Sequence, residues 1–443
     1  MGSRSADARG SSRTGSPWRQ YVRAIGPGLI TGASDDDPSG IATYAQVGAR
    51  FGLTFLWAAL FTFPLMAAVQ EIADRTALAT GEGLGELAVR RFQRTGKFVV
   101  AALLIVLIFA NTLNIAADLV AIGSGMNLLK AGPTWIWALV SGALITVLLV
   151  KGTFVHIAMV FRALAGFLVV YLVVLFIVTK NWTRVLFYAV VPHIRLDKES
   201  IAMLLAVLGT TISPYLFFWQ SANRLEEMRD DDEGGDVPAP LKSRSRSGSQ
   251  LKVRTSRLDV FTGMAFSNMV MFSIIAATAY TLHSHHVLNV GSAAQAASSL
   301  KPFAGRFSSV IFALGFIGSG LLAVPVLAAS GSVGLSGLLG KDWGFSRTIK
   351  NAPLFYALVG VGTIGGTVLS LLSINPIRLL VFVAVMNGVI AAPLLVVVMM
   401  VANNRGLMGV HVNGRLANVL GWLTVFIMAL ASIALFATGG VSL

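Results

Sequence analysis

The chain has 443 residues, of which 55% are hydrophobic and only 12% charged, and its mean hydropathy is +0.75. A soluble protein carries about 25% charged residues, so most of this chain is expected to face lipid or other lipid-embedded helices. The net charge of +14 does not mark a nucleic-acid partner, because the basic residues fall between apolar segments, and the absence of cysteine excludes disulfides, thiolate metal ligands and iron–sulfur clusters.

Residues 1–20 are rich in Ser, Arg and Gly without an apolar run. They lack the core of a cleavable signal peptide and read as a disordered cytoplasmic tail. A helix needs about 20 apolar residues to cross the hydrocarbon. Eleven segments qualify: 24–49, 54–79, 97–127, 134–151, 155–179, 200–225, 258–283, 305–336, 352–372, 377–401 and 416–437. With the N-terminus inside, 25 of the 34 Lys and Arg residues fall on the inner side. That bias places the N-terminus in the cytoplasm and the C-terminus outside a cell membrane.

The first segment is interrupted by Asp35-Asp36-Asp37-Pro38-Ser39-Gly40. Each carboxylate costs roughly 2.5–3.5 kcal/mol at that depth and is retained only where it faces protein or water. Asp-Pro is also a common helix start, so Asp37 reads as an N-cap, a cation ligand, or both. Glu71 and Asp74, late in the second segment, read as helix-end charges. The stretch Gly81-Glu82-Gly83-Leu84-Gly85 has neither the preceding strand nor the Lys of a phosphate loop. Gly123 and Gly125, and later Gly315 to Gly320, fit close helix packing. Trp135 and Trp137 fit an interfacial belt.

The sixth segment contains Thr210-Thr211-Ile212-Ser213-Pro214-Tyr215. Pro214 lacks an N–H and opens the helix. Pro38 does the same in the first segment, at the matching position of a five-helix block. Interrupted segments at corresponding positions in two halves point to a binding site at the bilayer midplane. The connection 226–257 is acidic and then basic, and reads as a solvated cytoplasmic loop. His283, His285 and His286 read as a solvated loop, since no further ligand spacing supports a metal site. No catalytic triad, zincin motif or nucleotide fingerprint is present, and an enzyme is not expected.

These residues resemble the natural resistance-associated macrophage protein (NRAMP) family of divalent-metal transporters. That family carries Gly-Pro-Gly and Asp-Pro-Gly-Asn in its first helix, where this chain has Gly26-Pro27-Gly28 and Asp37-Pro38-Ser39-Gly40. Its sixth helix carries Ala-x-x-Met-Pro-His, where this chain has Thr210 to Tyr215. Its third helix has Ala-Asp-Leu-Ala-Glu, against Ala117-Asp118-Leu119-Val120-Ala121 here. The departures look like those of the NRAMP-related magnesium transporter (NRMT) branch. The resemblance implies an all-α integral membrane protein of the LeuT-like (APC) fold. Its expected parts are two inverted five-helix repeats, residues 21–180 and 200–401, and an eleventh helix over 416–437.

The resemblance further implies a secondary transporter, expected as a monomer, with no cofactor. Its metal would be held by Asp37, Gly40, Thr210 and Ser213, with Asp36, Tyr215, Asn387 and Asp118 as pathway or supporting groups. Asn387 is open to a second reading, a plain interhelical hydrogen bond. Ser213 and Gly40 stand where the family has a soft thioether and an amide. A hard, sparse ligand set suits Mg²⁺ or Mn²⁺ keeping part of its water. The family's titratable groups are replaced by Tyr215, Gln220 and Ala121, so uptake without proton coupling is expected. The alternatives are a proton-coupled Mn²⁺ or Fe²⁺ transporter and a cation-coupled amino-acid transporter of the same fold.

Overall fold

The computed structural model describes residues 27–92, 94–151, 169–179, 181–230, 238–241, 246–298, 300, 305, 308–372 and 375–439. The first span is two half-helices, α1 (Pro27–Asp35) and α2 (Pro38–Phe51). A 3₁₀ turn over Gly52–Phe55 leads to α3 (Leu56–Thr80). Then come α4 (Leu84–Arg91), α5 (Arg94–Leu128), α6 (Thr134–Lys151), α7 (Val169–Val178) and α8 (Trp182–Val190). The sixth span is again two half-helices, α9 (Lys198–Thr211) and α10 (Pro214–Asp230). It is followed by α11 (Arg246–Thr281), α12 (Ala293–Ser298), α13 (Ser308–Leu338), α14 (Pro353–Ser370), α15 (Pro376–Ala402), α16 (Arg405–Met408) and α17 (Arg415–Ala437).

Nine helices among the described residues are long and apolar enough to cross a membrane. The sequence pattern gives eleven, for two reasons. α2, the 3₁₀ turn and α3 run on as one helical stretch, Pro38–Thr80. The fifth segment falls mainly on residues outside those described, and only its end, α7, is seen.

Both breaks sit at the prolines. Pro38 occupies the first turn of α2, where its missing N–H costs nothing, and Asp37 is the extended N-cap. α9 ends at Ile212, whose φ of −119° and ψ of 53° leave the helix, and Pro214 restarts it. Pro64, Pro325 and Pro393 lie inside long helices that continue through them, as neighbouring helices allow in a membrane.

α1 and α2 lie along α11, α9 lies on α15, and α10 packs on α3 and α13. Glycine sets the closest approaches. A Cβ on Gly32 would stand 2.1 Å from the Gly263 carbonyl oxygen of α11, and one on Gly209 would stand 2.1 Å from the Ala384 oxygen of α15. The outer faces of α5 and α17 expose Phe98, Ile105, Phe109, Phe426 and Ile433. Such apolar faces fit contact with lipid in a chain with this many apolar spans.

Two expectations are corrected. The connection 226–257 is not all loop: α10 runs to Asp230 and α11 begins at Arg246. Glu226 is buried, pairing with Arg229 at 3.3 Å and accepting the Ser346 N–H at 3.0 Å. Arg229 in turn lies over the Trp343 ring. These contacts carry the helix past the point where the charge pattern implies solvent. Glu71 and Asp74 are interior groups, because α3 continues to Thr80 and places them against α10 and α11.

Candidate metal site between the broken helices

The gap between α1 and α2 faces the gap between α9 and α10, since α1 packs on α10 and α2 on α9. Asp37 stands in that space, 1% exposed. Its Oδ1 accepts the Gly40 N–H at 2.7 Å and the Ser39 hydroxyl at 2.6 Å, which is N-cap geometry. Its Oδ2 turns toward α10 and α5. The Tyr215 hydroxyl donates to it at 3.3 Å and the Asn114 amide at 3.5 Å. One carboxylate therefore both starts a helix and turns its second oxygen toward α10 and α5.

Asp118 lies one turn beyond Asn114 on α5 and is fully buried. Among the described residues neither of its oxygens has a hydrogen-bond partner, nor does the Asn114 amide oxygen or the Thr210 hydroxyl. Buried polar groups without partners are costly, and an ion or water between the half-helices would supply what they lack. The Ser213 hydroxyl donates back to the Gly209 and Thr210 carbonyl oxygens at 2.9 and 3.0 Å, so what it has left to offer is its lone pairs. Gly40 does not leave the wide space its missing side chain implies: a Cβ there would meet the Thr210 hydroxyl oxygen at 3.0 Å.

Asp35 and Asp36 turn the other way. The Ser267 hydroxyl of α11 donates to Asp35 at 2.7 Å and approaches Asp36 at 3.3 Å. Each carboxylate keeps one buried oxygen without a partner among the described residues. Asn387 is fully buried on α15 beside the Gly209–Gly388 contact, and both its amide atoms lack partners among the described residues. Asn114 is the residue that sequence reasoning passes over. Its signal is present, because Asn114 and Asp118 are four apart and share one face of an apolar helix.

A second polar cluster lies where α3, α10 and α11 meet. The fully buried Arg224 donates to Asp74 at 2.7 Å, Asp259 at 3.0 Å and Glu227 at 2.5 Å. Gln220 donates to Asp74 at 2.7 Å, and the Ser256 hydroxyl also donates to it. Asp259 accepts the Gly28 N–H of α1 at 2.8 Å. Nearby, Glu71 accepts from Arg75 at 3.1 Å and Arg257 at 2.7 Å, and Arg75 reaches the Asn413 oxygen and the His411 carbonyl. Burial, and then the Arg75 charge, lower the His411 pKa. Arg347 and Lys350 lie between α13 and α14, outside both clusters.

The histidine patch is spoken for in part. His283 bonds the Ala49 carbonyl at 2.9 Å and His285 the Thr281 carbonyl at 2.6 Å. Among the described residues no three His, Asp or Glu side chains converge as a cage for a metal.

Two broken helices facing each other within a bundle of apolar spans define an integral membrane protein of the LeuT-like fold. A mutant of the manganese transporter of Eremococcus coleocola superposes with a TM-score of 0.73 at 16% identity, covering 97% of this chain and 90% of that one. Mhp1, a nucleobase-cation-symport-1 family transporter in a closed conformation, superposes with a TM-score of 0.54 at 15% identity, covering 93% of this chain and 91% of that one. The chain belongs to the natural resistance-associated macrophage protein-like (Nramp) family, whose profile matches residues 28–438. It is 26% identical over 426 residues to the divalent metal cation transporter MntH of Deinococcus radiodurans, covering 93% of this chain and 89% of that one. It is 25% identical over 395 residues to the MntH of Acidiphilium cryptum, covering 88% of this chain and 85% of that one.

Proposed function

We propose that this protein carries divalent metal ions across the cell membrane by alternating access, taking Mg²⁺ and Mn²⁺ with part of their water and without proton coupling. The metal stands at Asp37, with Gly40, Thr210 and Ser213 around it and Asn114, Asp118 and Tyr215 ordering its water. The observation that carries this reading is the donor set. Around the Asp37 oxygen the chain offers carboxylate, amide and hydroxyl groups with unfilled hydrogen-bonding capacity, and no thioether at position 213. Hard oxygen donors suit Mg²⁺, which keeps several waters and takes one or two carboxylates.

The coupling part rests on the second cluster. Gln220 and Arg224 surround Asp74, and neither exchanges a proton near neutral pH. The membrane potential suffices as a driving force: about 2.3 kcal/mol per charge per 100 mV gives a divalent ion about 4.6 kcal/mol, or roughly a thousandfold accumulation. The basic-residue bias supports an N-terminus in the cytoplasm and a C-terminus outside.

A second reading is proton-coupled Mn²⁺ or Fe²⁺ uptake, and its manganese part is favoured by the likeness to proteins named for divalent metal and manganese transport. Purified protein in liposomes decides between them. The expected result is Mg²⁺ influx driven by an inside-negative potential, competed by Mn²⁺, with no acidification of the lumen. Mn²⁺ influx that brings protons with it and ignores Mg²⁺ would establish the second reading.

A further inference from the structure

At one end of the bundle, where α2, the Gly52–Phe55 turn, α8 and α11 meet, lies a cavity of about 420 Å³. Arg50, Arg184, Arg195, His283, Tyr188 and Thr54 line it, and no carboxylate is among the described residues that do. Two acids act on these arginines from outside the cavity, and both are engaged. Glu199 pairs with Arg50 at 2.7 Å, and Asp197 caps α9 through the Ser200 N–H at 3.0 Å and hydroxyl at 2.8 Å. Arg184 lies over the Tyr188 ring, 5.8 Å from its centroid. Such a lining repels a divalent cation, so the cavity is no waiting place for the cargo. It fits an anion that takes several charged N–H donors at once, and the planar guanidinium fork suits phosphate oxygens.

The wall beside it names the source. α8 is a nine-residue helix with a divided surface: Val185 and Ala189 are buried, while Leu186, Phe187 and Val190 are exposed, Phe187 by 53% and Val190 by 59%. Ile194 and Leu196 extend the apolar row past the helix end. A short helix with one apolar face outward lies in the membrane interface, which sets acyl chains against that row and head groups at the level of Arg184 and Arg195. Guanidinium groups at that level suit the phosphate of a lipid head group.

We propose that this cavity binds the phosphate of a membrane phospholipid, with an anionic lipid preferred and its chains lying along α8. The same lipid would brace the end of α2. There Gly52 has a φ of +62°, and the space a Cβ would fill is 3.0 Å from the His283 ring.

The test is thermal unfolding of the purified full chain in detergent, titrated with phosphatidylglycerol, phosphatidylcholine or inorganic phosphate. Saturable stabilisation is expected from phosphatidylglycerol, weaker stabilisation from phosphatidylcholine, and none from phosphate alone. Arg184→Gln with Arg195→Gln should raise the half-saturating phosphatidylglycerol concentration about tenfold or more, the loss of about 1.4 kcal/mol, while Arg184→Lys with Arg195→Lys keeps part of the binding. Equal responses in the wild type and the Gln pair would overturn the proposal. Matching saturation by inorganic phosphate would overturn the lipid assignment. A Gln pair that unfolds early without lipid is read through the Lys pair, where binding no different from wild type and unaffected by ionic strength also overturns it.

Discussion

The Tyr215 hydroxyl stands 3.3 Å from Asp37 Oδ2 and so joins the two broken spans through a single carboxylate. The other oxygen of that carboxylate is committed to the Gly40 and Ser39 donors that begin α2. Capping and the proposed metal binding therefore fall on different atoms of one residue, and substitution can separate them.

Asp37→Asn keeps an N-cap acceptor of nearly equal quality and removes the charge. Its thermal stability is expected to stay close to wild type while Mg²⁺ uptake is lost. Asp37→Ala loses both, with an added stability cost of about 0.5–2 kcal/mol. Thermal unfolding and flux measured on both variants check this. Uptake retained by Asp37→Asn would remove Asp37 as a charged ligand.

Arg224 bridges the buried Asp74 and Asp259, and Asp259 also holds the Gly28 N–H at the start of α1. Arg224→Met takes the bridging cation away from two buried carboxylates. Removing one partner of a buried pair costs about 3–5 kcal/mol, so a large drop in unfolding temperature is expected, with Arg224→Lys between the two. The same link predicts that Asp259→Asn, which weakens the tie to Gly28, shifts the chain toward conformations with α1 displaced. Faster proteolysis near residues 27–35 reports it.

Glu86 lies outside the spans on α4, where it accepts the Gly83 N–H at 2.8 Å and the Trp343 indole N–H at 3.1 Å. Burial raises its pKa above the ordinary glutamate value, against the lowering effect of those two donors. A raised pKa means that the folded state binds the proton more tightly than the unfolded chain. The stability this group contributes is then fully present below about pH 4.3 and is lost as pH rises through the raised pKa. Glu86→Gln removes the titration. The unfolding temperature of the wild type should therefore fall relative to that of Glu86→Gln as pH rises from the acid range toward neutrality. Parallel curves for the two proteins would show that Glu86 titrates normally.

How much of this is legible in the sequence follows from how local each signal is. The two breaks are readable because proline acts on its own turn, and the spans because hydropathy is additive along the chain. Asp37 is readable as an N-cap, but which of its oxygens caps and which turns to Tyr215 and Asn114, 178 and 77 residues away, is set by packing. Asp36 turning to Ser267, and Asp74 meeting Arg224 across 150 residues, are products of helix packing that no local pattern encodes. The charge run after residue 225 misleads for the same reason. Glu226 and Glu227 pair with Arg229 and Arg224 within the fold, so a polar stretch becomes the continuation of α10.

Positions 40 and 213 carry the sharpest test of the proposed ligand set. Ser213→Met places a thioether where the Ser213 hydroxyl now turns back to the Gly209 and Thr210 carbonyls, and a soft donor favours Mn²⁺ over Mg²⁺. Gly40→Asn brings an amide oxygen to the same space, but its Cβ starts 3.0 Å from the Thr210 hydroxyl, so α9 must give way slightly and some stability is lost. Direct coordination by both groups displaces water, which Mg²⁺ sheds reluctantly. The double variant should lose Mg²⁺ uptake by about tenfold, the equivalent of about 1.4 kcal/mol, while keeping or improving Mn²⁺ uptake. Competition of Mg²⁺ against Mn²⁺ flux measures the ratio, and an unchanged ratio in a folded double variant would show that selectivity is set elsewhere than by these two ligands.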